Sequence, residues 1–165
     1  FDFLKNREVQ AMYENSSIFV TNEQDTALDM IDDIIHEIAH STEEIFGSLI
    51  YSDRKIEKEF LKKREKLWSI LDKKGYNVDL DDFLAPEFSY EFDSFLYQEV
   101  GYPMLATLTT NIFYSPYAAT SIKEYYANGF EAFFLKDDIS RLKKISPQLY
   151  RKLVKLITTA TGGLE

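Results

Sequence analysis

Apolar positions along the chain fall into three recognisable rhythms. From about Glu23 to Leu49, the residues Ala27, Met30, Ile31, Ile34, Ile35, Ile38 and Ala39 recur at intervals of three and four, the period of an amphipathic helix lying on a core. A second helix is predicted over about Asp53 to Lys74, with Phe60, Leu67, Trp68 and Leu71 inward and Gly75 as its cap. Upstream, Ser17-Ile18-Phe19-Val20-Thr21 reads as one short strand, β-branched and aromatic residues bounded by polar ones. Downstream, residues 76–89 read as mixed loop, and Tyr90 to Val100 as a helix ended by Gly101. Tyr102 to Thr120 reads as an irregular aromatic loop containing prolines. Ser121 to Leu135 is strongly helical, and a last helix starts with Ser146 as N-cap and Pro147 at its first position and runs to about Ile157. The expected class is α+β, mainly helical, with a small β element.

Composition narrows this picture. The 165 residues, 45% hydrophobic and 15% aromatic, suffice for one well-packed domain spanning 1–165, of which 1–22 is an N-terminal segment carrying the strand. No apolar run reaches the ~18 residues of a membrane span. Phe1 in place of Met reads as a mature or excised form, and residues 162–165 as a tail or vector-derived end. A net charge of −9 argues against binding nucleic acid, which calls for a basic surface. The basic stretch Lys58 to Lys66 is interleaved with Glu57, Glu59 and Glu65 and is expected to be a solvated helix face. Without cysteine, any metal must be held by histidine and carboxylate.

The two histidines of the chain, His36 and His40, stand in the sequence His36-Glu-Ile-Ala-His40 on the most periodic helix. Four residues apart on a helix, they are rotated by only ~40°, so both rings reach one ion. Shuffling this composition would reproduce the spacing and the intervening Glu37 in roughly one sequence in a thousand. Such a pair suits zinc, which takes imidazole and carboxylate ligands, keeps one position open, and lowers the pKa of water to around 7. Glu37 is the candidate general base.

The third ligand must then be a carboxylate. Glu124 leads and Glu131 is its rival; the two lie on one helix face but ~10 Å apart, too far to share one ion directly. Glu124 has a competing use, because Ser121-Ile-Lys-Glu124 also fits a capping box in which its carboxylate bonds back to the Ser121 backbone.

His36-Glu-Ile-Ala-His40 followed by Glu124-Tyr-Tyr-Ala-Asn-Gly-Phe resembles the single-zinc gluzincin metallopeptidases that include the anthrax lethal factor catalytic domain and the secreted clostridial Pro-Pro endopeptidases. In that family a Glu-Phe-Phe-Ala-Glu segment opens a helix, and its first Glu is the third zinc ligand; the match falls on Glu124. Ser146-Pro-Gln-Leu-Tyr150 is similar to the start of the family's last helix, so the resemblance covers about residues 30 to 157. It implies that Tyr117, seven residues before Glu124, stabilises the oxyanion, with Tyr114 as competitor. It also implies support of the histidines from the position of Asn128, where the family has an acidic residue, and from Glu43, which otherwise is a solvated helix charge. Asn128 supplies no negative charge and so departs from the pattern. Fewer residues precede the motif than in such domains, which leaves Ser17 to Thr21 as the visible edge for aligning substrate.

The resemblance thus implies a zincin-like domain, one Zn2+ per chain, and hydrolysis of a peptide or protein substrate outside the cell, with His36, His40 and Glu124 as ligands and Glu37 as base. Two other readings stand beside it: a zincin-like module that binds or regulates without catalysis, and a purely helical interaction protein.

Overall fold

A computed structural model describes residues 10–135 and 138–162; residues 1–9 of the N-terminal segment and 163–165 of the tail lie outside the described residues. Strands β1 (Ala11–Glu14) and β2 (Ser17–Val20) form an antiparallel hairpin in the register Ala11 opposite Val20 and Glu14 opposite Ser17. The turn residues Asn15 and Ser16 both take positive φ, 50° and 58°, as a tight hairpin turn with the right twist demands. The sequence predicts only β2. β1 is four residues long and acquires its pairing from the turn.

The hairpin lies on α1 (Ala27–Tyr51), whose N-cap Thr26 accepts a hydrogen bond from Asp29 N at 3.2 Å. After a short reversal, α2 (Lys55–Lys73) buries Ile56, Phe60, Leu67 and Leu71 on one face and ends before Gly75 at φ 88°. Short helices α3 (Leu80–Leu84) and α4 (Tyr90–Ser94) start at Asp79 and Ser89 caps, and α4 continues as a π-helical stretch to Val100. The region expected to be irregular begins instead with a helix, α5 (Tyr102–Thr109). Its Pro103 sits in the first turn, where the missing N–H costs nothing, so the proline starts the helix rather than breaking it. A 3-10 turn, Tyr117–Ala119, then leads into α6 (Ile122–Phe134), followed by α7 (Ile139–Ile145) and α8 (Pro147–Ala160).

Helix α6 is the centre of the molecule. It runs along α1 on one side and meets α2 and α8 on the other, and Tyr125 through Phe130 are all buried. Its crossing with α8 is tight at Gly129, where a Cβ would run into the Leu149 side chain and force it to shift. Ser146 contributes no side-chain cap to α8. Glu59 of α2 does so in its place, accepting from Gln148 N at 2.8 Å, Leu149 N at 3.1 Å and the Tyr125 hydroxyl at 2.8 Å.

The basic stretch of α2 corrects the expectation of a wholly solvated face. Lys63 and Arg64 are buried, 8% and 1% exposed, and bond to main-chain carbonyls of distant segments. The architecture is mainly helical with a two-stranded sheet, and no described helix is long and apolar enough to cross a membrane.

Candidate metal centre

His36 and His40 project from the face of α1 that meets α6, and their ring centroids are 5.1 Å apart. Opposite them, Glu124 sits in the first turn of α6. The Ser121 hydroxyl accepts from Glu124 N at 3.2 Å and so starts the helix, but the Glu124 carboxylate does not return to the Ser121 backbone. It turns to the histidines, with Oε2 3.0 Å from His36 Nε2 and Oε1 3.5 Å from His40 Nε2. Ligand-capable atoms of His36, His40 and Glu124 all lie within 4.8 Å of one another.

The outward ring nitrogens are held as well. His36 Nδ1 is 3.3 Å from Glu131 Oε2, and His40 Nδ1 is 2.9 Å from Glu43 Oε2. Glu43 is fixed in turn by the Tyr51 hydroxyl, which donates to its other oxygen. Each Nδ1 thus faces a supporting carboxylate while both Nε2 atoms face Glu124, the arrangement that leaves the two Nε2 atoms and one carboxylate directed at a single point. The donor set fits a divalent cation that accepts nitrogen and oxygen ligands.

Electrostatics follow from this packing. Burial disfavours charge on His36, but hydrogen bonds and charge from Glu124 and Glu131 outweigh it and push the ring up to about 10. Burial likewise opposes charge on His40, which Glu124 and Glu43 push up to about 9. Burial would raise Glu124, yet the two imidazoles hold it down at about 2. One carboxylate and two imidazoles thus share a site built for positive charge.

The remaining expected residues divide. Glu37 lines the same cleft, of about 340 Å³, together with Gln10, Ala11, Asp33 and Tyr117. Its Oε2 accepts from Tyr13 N of β1 at 2.6 Å. Tyr117 presents its ring 6.4 Å from that of His36, and burial and the charge of Glu124 push its hydroxyl up, so it stays protonated. Tyr114 lies instead under the Arg141 guanidinium, 4.8 Å from its ring centroid. Asn128 does not reach the histidines: its Oδ1 is buried without a hydrogen-bond partner. The carboxylate that meets His36 Nδ1 is Glu131, the rival ligand of the sequence reading.

The sequence reading names neither Tyr51 nor Tyr13. Tyr51 shares a helix with Glu43, and its eight-residue offset was available as a signal. Tyr13, whose hydroxyl also pairs with Glu44, reaches the site only through the hairpin, and no local pattern announced that. His40 also lines a second hollow, of about 570 Å³, together with Tyr13, Glu44, Tyr51 and Lys123. Comparison with protein-family profiles, curated proteins and solved structures finds no match to this chain.

Proposed function

We propose that this chain is a zinc-dependent endopeptidase with a zincin-like catalytic domain. The observation that carries the reading is the convergence of His36 Nε2, His40 Nε2 and the Glu124 carboxylate on one point, with both outer ring nitrogens held by carboxylates. A zinc ion held there would polarise a water and the scissile carbonyl.

The chain's own residues account for the rest. Glu37, beside the ligands and lining the same cleft, takes a proton from the attacking water on its carboxylate and hands it to the leaving amine. The protonated Tyr117 hydroxyl donates to the oxyanion that develops on the substrate. Substrate lies extended along β1. Thr21 N bonds to Gln10 O, so alternate residues face β2, and Ala11 and Tyr13 turn their main-chain groups to the free edge above the cleft.

The test is Glu37→Gln. It is expected to keep one zinc per chain and lose turnover of a peptide library by about 10²–10⁴-fold. Turnover at the parent rate would end the mechanism. A second reading, a metal-binding module without turnover, is favoured by one contact: Tyr13 N already occupies Glu37 Oε2. Under that reading the parent binds zinc and cleaves nothing in the library.

A further inference from the structure

We infer that Arg64, a residue of α2 outside the metal site, is a positioning residue that fixes the turn carrying Tyr117 and the first turn of the helix carrying Glu124. This inference rests on the metallopeptidase reading for its purpose, though the geometry of the clamp does not depend on it. Arg64 is 1% exposed, and no carboxylate is among its hydrogen-bond partners. Asp82 is near enough to favour its charge but gives it only a main-chain carbonyl, and a buried guanidinium not bonded to a carboxylate is costly unless every N–H is satisfied.

Here the fork is satisfied wholly by carbonyls. Nε donates to Phe83 O at 3.1 Å; Nη1 donates to Ala119 O at 2.8 Å and Thr120 O at 3.2 Å; Nη2 donates to Asp82 O at 2.6 Å and Ala85 O at 3.4 Å. The plane rests on Phe92, 3.8 Å from its ring centroid. Two segments distant in sequence are thereby tied to α2. One is the stretch 82–85, which continues to Pro86, whose carbonyl accepts from Ile122 N at 2.8 Å. The other is the pair Ala119 and Thr120, which lies between Tyr117 and the N-cap Ser121. Both attachments converge on residues 117–124, the segment that brings a hydroxyl and a carboxylate to the cleft. A neutral residue could fill the volume, and a lysine could carry the charge. Only the five-donor planar fork can hold both segments in one orientation.

The experiment compares Arg64→Lys with the parent and with Leu71→Ala, a core truncation on the same helix away from the turn. Three quantities are read: zinc affinity by chelator competition, amide hydrogen exchange at Thr120 and Ile122, and kcat against KM on a cleaved peptide. Arg64→Lys is expected to weaken zinc about 10- to 100-fold and to speed exchange at those two amides. It should also lower kcat about 100-fold through displaced groups, with KM near the parent value. Leu71→Ala is expected to lower the melting temperature while leaving zinc affinity and the two amides at parent values. Parent-like affinity and exchange in a folded Arg64→Lys protein would overturn the inference. Should that variant not fold, Phe92→Leu removes the ring beneath the fork, and the same two readouts must move in the same direction. If the parent binds zinc but cleaves nothing, the peptidase reading falls, while affinity and exchange still decide the role of Arg64. If it binds no zinc, exchange alone decides it.

Discussion

Where α1 meets α6, two histidines sit among Glu43, Glu124 and Glu131, whereas α2 and α8 bury Lys63, Arg64 and Lys152 chiefly against main-chain carbonyls. At the first place the positive charge is not part of the chain's covalent structure. Protons on the imidazoles supply it, and under the proposed function a metal ion would replace them while the carboxylates stay where they are. At the second the cations are side chains, and most of their acceptors are neutral oxygens that do not titrate. Lys152, with Leu49 O at 2.7 Å and Asp53 at 2.9 Å, is the one with a carboxylate. One region is built for exchange and the other for fixed geometry, and α6 is held between them.

The largest effect expected on this contrast is that of His36→Ala. It removes a ligand and the partner of both Glu124 and Glu131, and zinc content by elemental analysis should fall from one per chain to near none. Retained stoichiometric zinc would mean that the first region does not hold the metal.

Next comes pH. With folded values of about 10 and about 9 against 6.5 unperturbed, both rings are charged at neutral pH. Their stabilisation of the metal-free fold is complete below 6.5 and is lost as pH rises through about 9 and 10. Zinc needs both rings neutral, so binding at pH 7 should release about two protons, and affinity should rise about hundredfold per pH unit. Calorimetry in buffers of different ionisation enthalpy counts those protons; none released would break the picture of exchangeable charge.

The second region is tested by Lys63→Met. Removing the ammonium strands the carbonyls of Ile112 and Ile145, at a cost of about 1–3 kcal/mol. For a domain of this size that is a fall of roughly 2–10 °C in melting temperature. Zinc affinity should not change, and a change would show that the two regions are not separable at this position.

The same contrast explains what could be read from the sequence. The helix bearing His36 and His40 was legible because its apolar period is strong and its two histidines share a face. Glu124 is legible as a candidate, but whether its carboxylate turns back to Ser121 or toward the histidines depends on where α1 lies. Read from the sequence, Lys63 and Arg64 look solvated, because a buried cation on a helix looks the same there as an exposed one. Their acceptors lie 18 to 82 residues away and leave no local trace. The same holds for Glu131, 95 residues from the ring it supports, and for β1, whose four residues reach Glu37 only once the Asn15-Ser16 turn has folded the hairpin back.

The last comparison is the most discriminating, because it asks which residue of α6 supports His36. Glu131 contacts Nδ1 at 3.3 Å, and Asn128, one turn nearer Glu124, has a buried Oδ1 that meets no donor. Glu131→Gln keeps an acceptor of the same reach and removes the charge, so zinc should weaken about 10- to 100-fold, or about 1.4–2.7 kcal/mol. Asn128→Asp places a carboxylate where the resemblance would have one, but at 8% exposure and without a partner the new charge has nothing to pair with. That variant should melt lower and bind zinc no better than the parent. Tighter zinc binding in Asn128→Asp, with Glu131→Gln unchanged, would return the supporting role to position 128 and mean that the contact between His36 and Glu131 does not persist in the metal-loaded protein.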